Sequence, residues 1–141
     1  METFLYEHTV QYYETDKMDC VHHSNYIRWF EEARTFLLGK LGFGYFKMEE
    51  NGVMSPVLRV EAEYKTMARY GDTAQIEVSA DNYTGTRITF VYDIRDKATG
   101  ALRCFGKTHH CFIGKDGRPL SLRKHLPQMD MLVKAYIDGM L

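Results

Sequence analysis

Apolar and polar residues alternate with a period of two along five stretches of the chain. This period is typical of β-strands that bury one face and expose the other. The stretches are residues 4–12, 58–65, 74–80, 87–94 and 102–113. In the first, one side carries Phe4, Tyr6, His8, Val10 and Tyr12. Short glycine-containing turns separate the last four stretches, and short connections of this kind predict an antiparallel sheet.

Between the first two stretches, the apolar spacing changes to that of an α-helix. From Asn25 onward the apolar positions recur every three or four residues, and further ones widen the stripe: Tyr26, Phe30, Ala33, Leu37 and Leu41, then Ile27, Trp29 and Leu38. Gly39 and Gly42 are expected to interrupt this helix. A short second helix is predicted at residues 45–50, and Pro127 marks the start of a final one.

The long helix is apolar over most of its circumference, so it needs cover on more than one side. A curved antiparallel sheet wrapped around it would supply that cover, and we predict an α+β domain. The length of 141 residues fits one such domain, spanning residues 1–141. Sheets of this kind often pair edge to edge with a second copy of the chain.

Composition excludes several classes of function. Hydrophobic residues make up 45% and charged residues 26%, as in an ordinary globular protein. The net charge of -1 at pH 7 lacks the positive field of a nucleic-acid-binding protein, and no run of about 18 apolar residues predicts a membrane span. Three cysteines, with no basic-then-apolar leader at the first residues, favour free thiols and a cytoplasmic location.

Chemically reactive side chains concentrate in "YYETDKMDCVHHSNY", residues 12–26. A metal site would draw on Cys20, His22, His23 and the run 109–111. The spacing C-x-H-H matches no zinc pattern, and neighbours on a strand point to alternate faces, so we expect no metal. A Cys–His pair would need an orienting third group, and a Ser–His–Asp arrangement would lack the G-x-S-x-G pattern, so both signals are weak.

Asp16 precedes the predicted start of the long helix and is the strongest candidate for chemistry. Ser24 or Asn25 could cap this helix, but Arg28 rather than an acidic residue stands in its first turn. Free amides at the helix start could stabilise an oxyanion, while Asp16 could attack a carbonyl or activate a water. The alternative, that Asp16 and Asp19 are simply turn residues, stays open at this point.

The same segment resembles the signature of a known family. The run "YYETDKMDCVHHSNYIRWFEEART" is similar to that of the hotdog-fold acyl-CoA thioesterases of the 4-hydroxybenzoyl-CoA thioesterase and YbgC-like type. The shared features are an aromatic strand end, T-D, a turn, a valine, H-x-x-Y at the helix start and E-x-A-R within the helix. The likeness continues through "SPVLRVEAEYKTMARYGD". Many relatives have small residues or a glycine pair where this chain has Lys17-Met18-Asp19-Cys20.

This resemblance implies a hotdog fold, in which a curved antiparallel β-sheet wraps a long central helix. It implies that Asp16 is the catalytic carboxylate, as nucleophile or general base. The backbone amide of His23 would polarise the thioester carbonyl, and its ring would position substrate or water. Val21, Ser24 and Tyr26 are the expected substrate-binding residues. The implied substrate is an acyl thioester of coenzyme A or of acyl carrier protein, no cofactor is implied, and the expected assembly is a homodimer or homotetramer.

Two other functions compete with hydrolysis. A hotdog dehydratase or hydratase would carry a His followed by Phe-Pro-Gly, or an Asp-x-x-x-x-His motif, and neither occurs in this sequence. A non-catalytic acyl-CoA-binding protein would bind the thioester without releasing thiol. In each case the phosphates of coenzyme A would seek basic side chains, and the candidates are Lys65, Arg69, Arg87, Lys107 and the segment 118–124.

Overall fold

The computed structural model describes residues 2–141 and confirms the predicted α+β hotdog architecture. Within these residues the strands are β1 (Phe4–Thr9), β2 (Val57–Tyr64), β3 (Thr73–Asp81), β4 (Arg87–Asp96) and β5 (Leu102–Cys111). The helices are α1 (Ser24–Leu41), α2 (Tyr45–Glu50), α3 (Leu122–His125) and α4 (Pro127–Ile137), and a short 3-10 helix covers Tyr12–Glu14.

The strands form one antiparallel sheet in the order β1-β3-β4-β5-β2, so β1 and β2 are its edges. The long helix α1 lies between these two edge strands in the chain and packs mainly against β3 and β1. On the interior strands β3 and β4, alternate residues are buried as the period of two predicts: Ala74, Ile76, Val78 and Ala80 of β3, and Ile88, Phe90, Tyr92 and Ile94 of β4.

Gly106 of β5 allows α1 to approach the sheet closely. The Phe30 ring of α1 stacks on Tyr92 of β4, with ring centroids 4.3 Å apart. A Cβ atom at Gly106 would overlap the Phe30 ring and would lie 2.7 Å from the carbonyl oxygen of Glu61 in β2. Any larger residue would therefore push α1 or β2 away from β5.

The long helix continues through Gly39 and ends at Leu41, so the predicted interruption at Gly39 is wrong. Gly39 lies on the exposed side of α1, where the lack of a side chain costs no packing. Gly42 does end the helix, because it adopts the left-handed conformation with φ of 94° and donates its N–H to the carbonyl oxygens of Gly39 and Leu38.

The first strand is shorter than the predicted 4–12, because its backbone partner changes after Thr9. The N–H of Val10 donates to the carbonyl oxygen of Asp72 in a loop instead of to a strand. Gln11 then caps the short 3-10 helix. Tyr12, predicted to face the core, is 76% exposed as a result.

The last strand also ends earlier than predicted, at Cys111 rather than at Ile113. Ile113 instead forms isolated bridges with Met54 and Pro119, which hold the following loop beside the start of β2.

A β-bulge shifts the start of β2 relative to the predicted alternation. Val57 pairs with His110 and Arg59 with His109, which leaves Leu58 as the extra residue. Val57 therefore replaces Leu58 on the side that faces α1, in the set Val57, Val60, Ala62 and Tyr64.

Strand β2 differs from the other strands because its apolar residues stay exposed. Val57, Leu58, Val60 and Tyr64 are each more than one-third exposed, although three of them lie on the helix side of the sheet. Within the described residues 2–141, the outer edge of β2 pairs with no strand, so it carries both unpaired backbone groups and apolar side chains. Among residues 2–141, no helix is long and apolar enough to cross a membrane.

Candidate active site

A cleft of about 830 Å³ opens between the loop that follows the 3-10 helix, the start of α1 and the segment after β2. Its lining combines residues from two distant parts of the sequence: Asp16, Met18, Cys20, Val21, His23 and Tyr26, then Tyr64, Lys65, Thr66, Met67 and Arg69. Of the residues predicted to form the site, Asp16, Val21, His23 and Tyr26 border this cleft. Ser24 does not border it.

A tight loop holds the carboxylate of Asp16. The Asp16 N–H donates to the carbonyl oxygen of Cys20 over 2.9 Å, and a bridge between Thr15 and Val21 closes the loop behind it. Oδ1 accepts the N–H of Met18 over 2.8 Å and lies 3.7 Å from the Cys20 Sγ. Among residues 2–141, Oδ2 has no hydrogen-bond partner. The carboxylate is therefore held through one oxygen, while the other is available to a ligand.

The side chain of Asp19 lies at the surface, beside Arg69. Its backbone adopts the left-handed conformation with φ of 62°, and its side chain is 91% exposed. Arg69 donates to the Asp19 carbonyl oxygen over 3.0 Å, and the same Nη1 lies 3.9 Å from the Asp19 carboxylate. Arg69 thus ties the tip of the loop to the segment after β2.

Backbone N–H groups at the start of α1 differ in their hydrogen-bond partners. The Ser24 N–H donates to the His22 Nδ1 over 3.2 Å, and the Asn25 N–H donates to the His22 carbonyl oxygen over 3.0 Å. The N–H of His23, at the N-cap, has no partner among the described residues 2–141. It stands at the positive end of an 18-residue helix, and His23 is one of the residues that line the cleft.

His22 caps the helix with its ring. Its Nδ1 accepts the Ser24 N–H and also lies 2.8 Å from the Ser24 hydroxyl. Since Nδ1 acts as the acceptor, the ring proton belongs on Nε2. Sequence reasoning expected Ser24 or Asn25 to be the cap, and that expectation is wrong: Ser24 is already inside the helix and pairs with the His22 ring.

Two tyrosines form the aromatic wall of the cleft. The Tyr64 hydroxyl donates to the carbonyl oxygen of His23 over 3.2 Å, and its ring meets Tyr26 edge-on at 5.4 Å. The Tyr26 hydroxyl accepts the N–H of Ala68 over 3.3 Å. Burial raises the pKa of both phenols, so both stay protonated at neutral pH. Sequence reasoning missed Tyr64 as a site residue, and its only signal was an apolar position at the end of β2.

The cysteine and histidine side chains considered for nucleophilic catalysis or metal binding lie in different environments. Burial and the neighbouring Asp16 charge raise the pKa of the Cys20 thiol, which disfavours a thiolate nucleophile. His109 lies on the outer face, 2.9 Å from Glu61, whereas His110 is buried and burial lowers its pKa to about 4. Within residues 2–141, no three His, Cys, Asp or Glu side chains come together as a metal site.

The basic side chains predicted to bind the phosphates of coenzyme A also lie in different places. Lys65 and Arg69 border the cleft, whereas Arg87 and Lys107 lie elsewhere on the sheet. Positive charge near the cleft therefore comes from the segment that follows β2.

A long helix on a curved antiparallel sheet, with an acidic loop beside the helix start, defines the class of hotdog-fold thioesterases, which are thioester hydrolases. The model of the thioesterase-like superfamily matches residues 10–134, and the chain belongs to that family.

Individual relatives agree with this assignment. The chain is 38% identical over 119 residues to the Bacillus subtilis protein YneP, which is assigned as an acyl-CoA thioesterase; the match covers 84% of this chain and 86% of YneP. It is 31% identical over 96 residues to the acyl-CoA thioester hydrolase YbgC of Escherichia coli, covering 67% and 72% of the two chains. The crystal structure of a DHNA-CoA thioesterase from Staphylococcus aureus superposes with a TM-score of 0.92 at 30% identity, covering 100% and 97%.

Proposed function

We propose that residues 1–141 form a single hotdog thioesterase domain that hydrolyses an acyl thioester of coenzyme A to the free acid and the thiol. The observation that carries this proposal is that two residues lining one cleft each carry a group without a hydrogen-bond partner among residues 2–141. These groups are Oδ2 of Asp16 and the backbone N–H of His23. Acyl transfer needs a base or nucleophile on one side of the carbonyl and a donor at its oxygen.

The chemistry follows from these two groups. The thioester carbonyl oxygen accepts the His23 N–H, and the helix end stabilises the negative charge that develops there. Asp16 either takes a proton from the attacking water or attacks the carbonyl carbon and forms an anhydride that water then hydrolyses. In both routes the C–S bond breaks and the sulfur leaves as a thiol after taking a proton. One water is consumed for each acid released. We assign the His23 ring to positioning the substrate or the water.

We propose an aromatic acyl group as the preferred substrate. The Staphylococcus aureus relative is a DHNA-CoA thioesterase, and it covers the whole of this chain. The lining of the cleft includes two tyrosines, Tyr26 and Tyr64, and two methionines, Met18 and Met67. Aromatic and sulfur groups of this kind favour a planar ring over a flexible alkyl chain.

We propose that Lys65 and Arg69 bind phosphates of the coenzyme A moiety. Both border the cleft. Among residues 2–141, the one ion pair of the Lys65 Nζ is a 3.6 Å contact with the exposed Glu63, so the ammonium can bind a ligand. An acyl carrier protein substrate would present one phosphodiester instead of the several phosphates of coenzyme A, so it would depend less on these two side chains.

The test is a thiol-release assay with the full chain on a panel of substrates. The panel holds 1,4-dihydroxy-2-naphthoyl-CoA, benzoyl-CoA, and short, medium and long aliphatic acyl-CoAs, with an acyl carrier protein thioester as a further member. We expect kcat/KM for the aromatic members to exceed that for the aliphatic ones by at least about tenfold. Faster turnover of aliphatic members would contradict the aromatic preference alone. Tight binding without thiol release, or hydration of crotonyl-CoA, would contradict the proposed hydrolysis.

We propose that the chain forms a homodimer through the free edge of β2, on its own or as the unit of a tetramer. That edge carries exposed Val57, Leu58, Val60 and Tyr64 beside unpaired backbone groups. Antiparallel pairing of two β2 strands would satisfy those groups and bury the apolar side chains across a two-fold axis. Since Tyr64 also borders the cleft, the second copy would lie beside the site.

Sedimentation analysis of Val60→Lys tests this interface. We expect the wild type to sediment with at least twice the mass of one chain and Val60→Lys to sediment as a monomer, because the buried ammonium would lack a partner. Leu5→Lys, on the opposite edge strand and also exposed, is the matched control and should keep the wild-type mass. A monomeric wild type, or an unchanged mass for Val60→Lys, would contradict the proposed dimer.

A reducing, cytoplasmic setting suits this enzyme, and we propose it as the location. The three thiols of Cys20, Cys104 and Cys111 are unpaired, and two of them are buried in the core.

A further inference from the structure

Glu14 carries a buried carboxylate that does not border the cleft and has no part in the proposed reaction. It is 4% exposed. Oε1 accepts the N–H of Gln11 and a hydrogen bond from Nε2 of His8, each over 2.8 Å. Oε2 accepts the indole N–H of Trp29 over 2.7 Å. A buried carboxylate with three donors is a strong local anchor, because charge-assisted hydrogen bonds are about twice as strong as neutral ones.

The backbone of the same residue fixes both halves of the site. The carbonyl oxygen of Glu14 accepts the N–H of His22 and the side-chain amide of Asn25, each over 2.9 Å. His22 directly precedes the uncommitted N–H of His23, and Asn25 lies in the first turn of α1. Asp16 follows Glu14 by two residues along the chain. One residue therefore links the carboxylate to the proposed oxyanion donor.

The anchor continues away from the site through His8. The His8 Nδ1 lies 3.1 Å from a carboxylate oxygen of Glu32 on α1, and that oxygen also accepts the Tyr6 hydroxyl over 2.7 Å. Since both ring nitrogens of His8 face carboxylates, both hydrogen bonds can be donated only by the doubly protonated ring. Within residues 2–141, His8 is the titratable group that contacts Glu14, and Glu32 is the charged group beyond it.

Resting on the proposed function, we infer that Glu14 is a positioning residue that sets the distance between the Asp16 carboxylate and the His23 amide. Its side chain holds β1, through His8, against α1, through Trp29. Its carbonyl holds the turn into the helix. Reacting groups must be placed to within a fraction of an ångström, and a displacement of about 1 Å costs on the order of 100-fold in rate.

Glu14→Gln tests this inference with almost no change of shape. The amide group would place an NH2 against one of the three donors, so at least one hydrogen bond would be lost or reversed. We expect kcat to fall about 10–100-fold while KM changes less than about threefold, because the substrate is bound by other residues. Glu32→Gln is the matched control: it removes the other carboxylate from His8 but keeps an oxygen acceptor, and kcat should change less than about twofold.

The pH profile separates positioning from general destabilisation. Burial works to raise the pKa of Glu14, but the hydrogen bonds from Gln11, His8 and Trp29 outweigh it and hold the pKa below its ordinary value. A lowered pKa means that the contribution of the carboxylate is complete above the ordinary pKa and disappears as the pH falls through the lowered one. We therefore expect the ratio of wild-type to Glu14→Gln kcat to be largest at neutral pH and to shrink as the pH falls below the ordinary pKa of a glutamate.

Amide hydrogen exchange gives a readout that does not depend on catalysis. Peptides covering residues 12–26 should exchange faster in Glu14→Gln than in the wild type, whereas Glu32→Gln should leave that segment unchanged. Unchanged exchange in Glu14→Gln would overturn the inference even if no substrate of the panel were hydrolysed, so its failure is distinct from failure of the proposed function.

The rate measurements can also overturn the inference that Glu14 is a positioning residue. An unchanged kcat, or a loss of rate fully explained by a smaller folded fraction at the assay temperature, would leave Glu14 with no positioning role. In the Asp16→Asn background, Glu14→Gln should cause little further loss, because the two residues act through one geometry. A full additional loss in that background would contradict the inference.

Discussion

Asp16→Asn is expected to lower kcat by roughly 10²–10⁴-fold, the range that a positioned general base contributes. The asparagine side chain has the same shape and can still accept the Met18 N–H through its oxygen, so the loop should keep its conformation. The amide nitrogen would take the place of Oδ2, the oxygen without a partner among residues 2–141. An amide nitrogen can neither accept a proton from water nor attack a carbonyl carbon.

Thiol release and binding of a non-hydrolysable thioether analogue are the two measurements for this variant. We expect turnover to fall while the analogue binds within about threefold of the wild-type affinity, because the lost group acts in the transition state. Asp19→Asn is the matched control: it lies in the same loop, its side chain is 91% exposed and it contacts Arg69. Wild-type hydrolysis by Asp16→Asn would show that the catalytic carboxylate has been wrongly assigned.

His23→Pro is expected to lower kcat by about 10²–10³-fold, as loss of one oxyanion donor does in other acyl-transfer enzymes. Proline removes the backbone N–H and leaves no substitute. The backbone can accept it, because His23 has φ of -54°, within the range of proline, and its N–H donates to no other group among residues 2–141. His22, which precedes it, lies outside α1, so the restriction that proline places on its neighbour should cost little.

His23→Ala separates the amide from the ring. Alanine keeps the N–H and removes the imidazole, so we expect a loss of less than about tenfold if the ring only positions substrate or water. Thermal unfolding of both variants should show the folded fraction at the assay temperature. If His23→Pro and His23→Ala lost the same activity, the backbone amide would have no special role and the oxyanion site would have to lie elsewhere.

Sequence periodicity predicted the structure best in elements that keep the same side buried along their whole length. The buried alternation of β3 and β4 and the buried stripe of α1 follow directly from residues that repeat with a period of two or 3.6. The same reasoning was wrong where a backbone changes partner. β1 ends when Val10 pairs with Asp72, and β2 contains an extra residue at Leu58. In both places the alternation of apolar residues continues although the backbone hydrogen-bond partner or register changes. The alternation itself carries no information about that change.

Some residues of the candidate site could be predicted from the sequence, and others could not. Asp16 and the start of α1 are eight residues apart, and a local signature was enough to place them together. Tyr64 and Arg69 come from more than 40 residues further along the chain, and only strand pairing across the sheet brings them to the cleft. His22 was considered from the sequence as a candidate metal ligand, yet its ring accepts the N–H of Ser24 and caps the helix. No local rule made His22 a stronger cap than Ser24.

The amino-acid sequence by itself determined the order of the five strands and of α1, α2 and α4, and the position of Asp16 before a helix start. These depend on periodicity and on neighbours within a few residues. Only the tertiary structure decided that Glu14 is buried, that Asp19 contacts Arg69 and that the edge of β2 stays uncovered. Each of these depends on which distant segment supplies the partner of a polar or apolar group, and such partners are chosen by the packing of the whole sheet on α1.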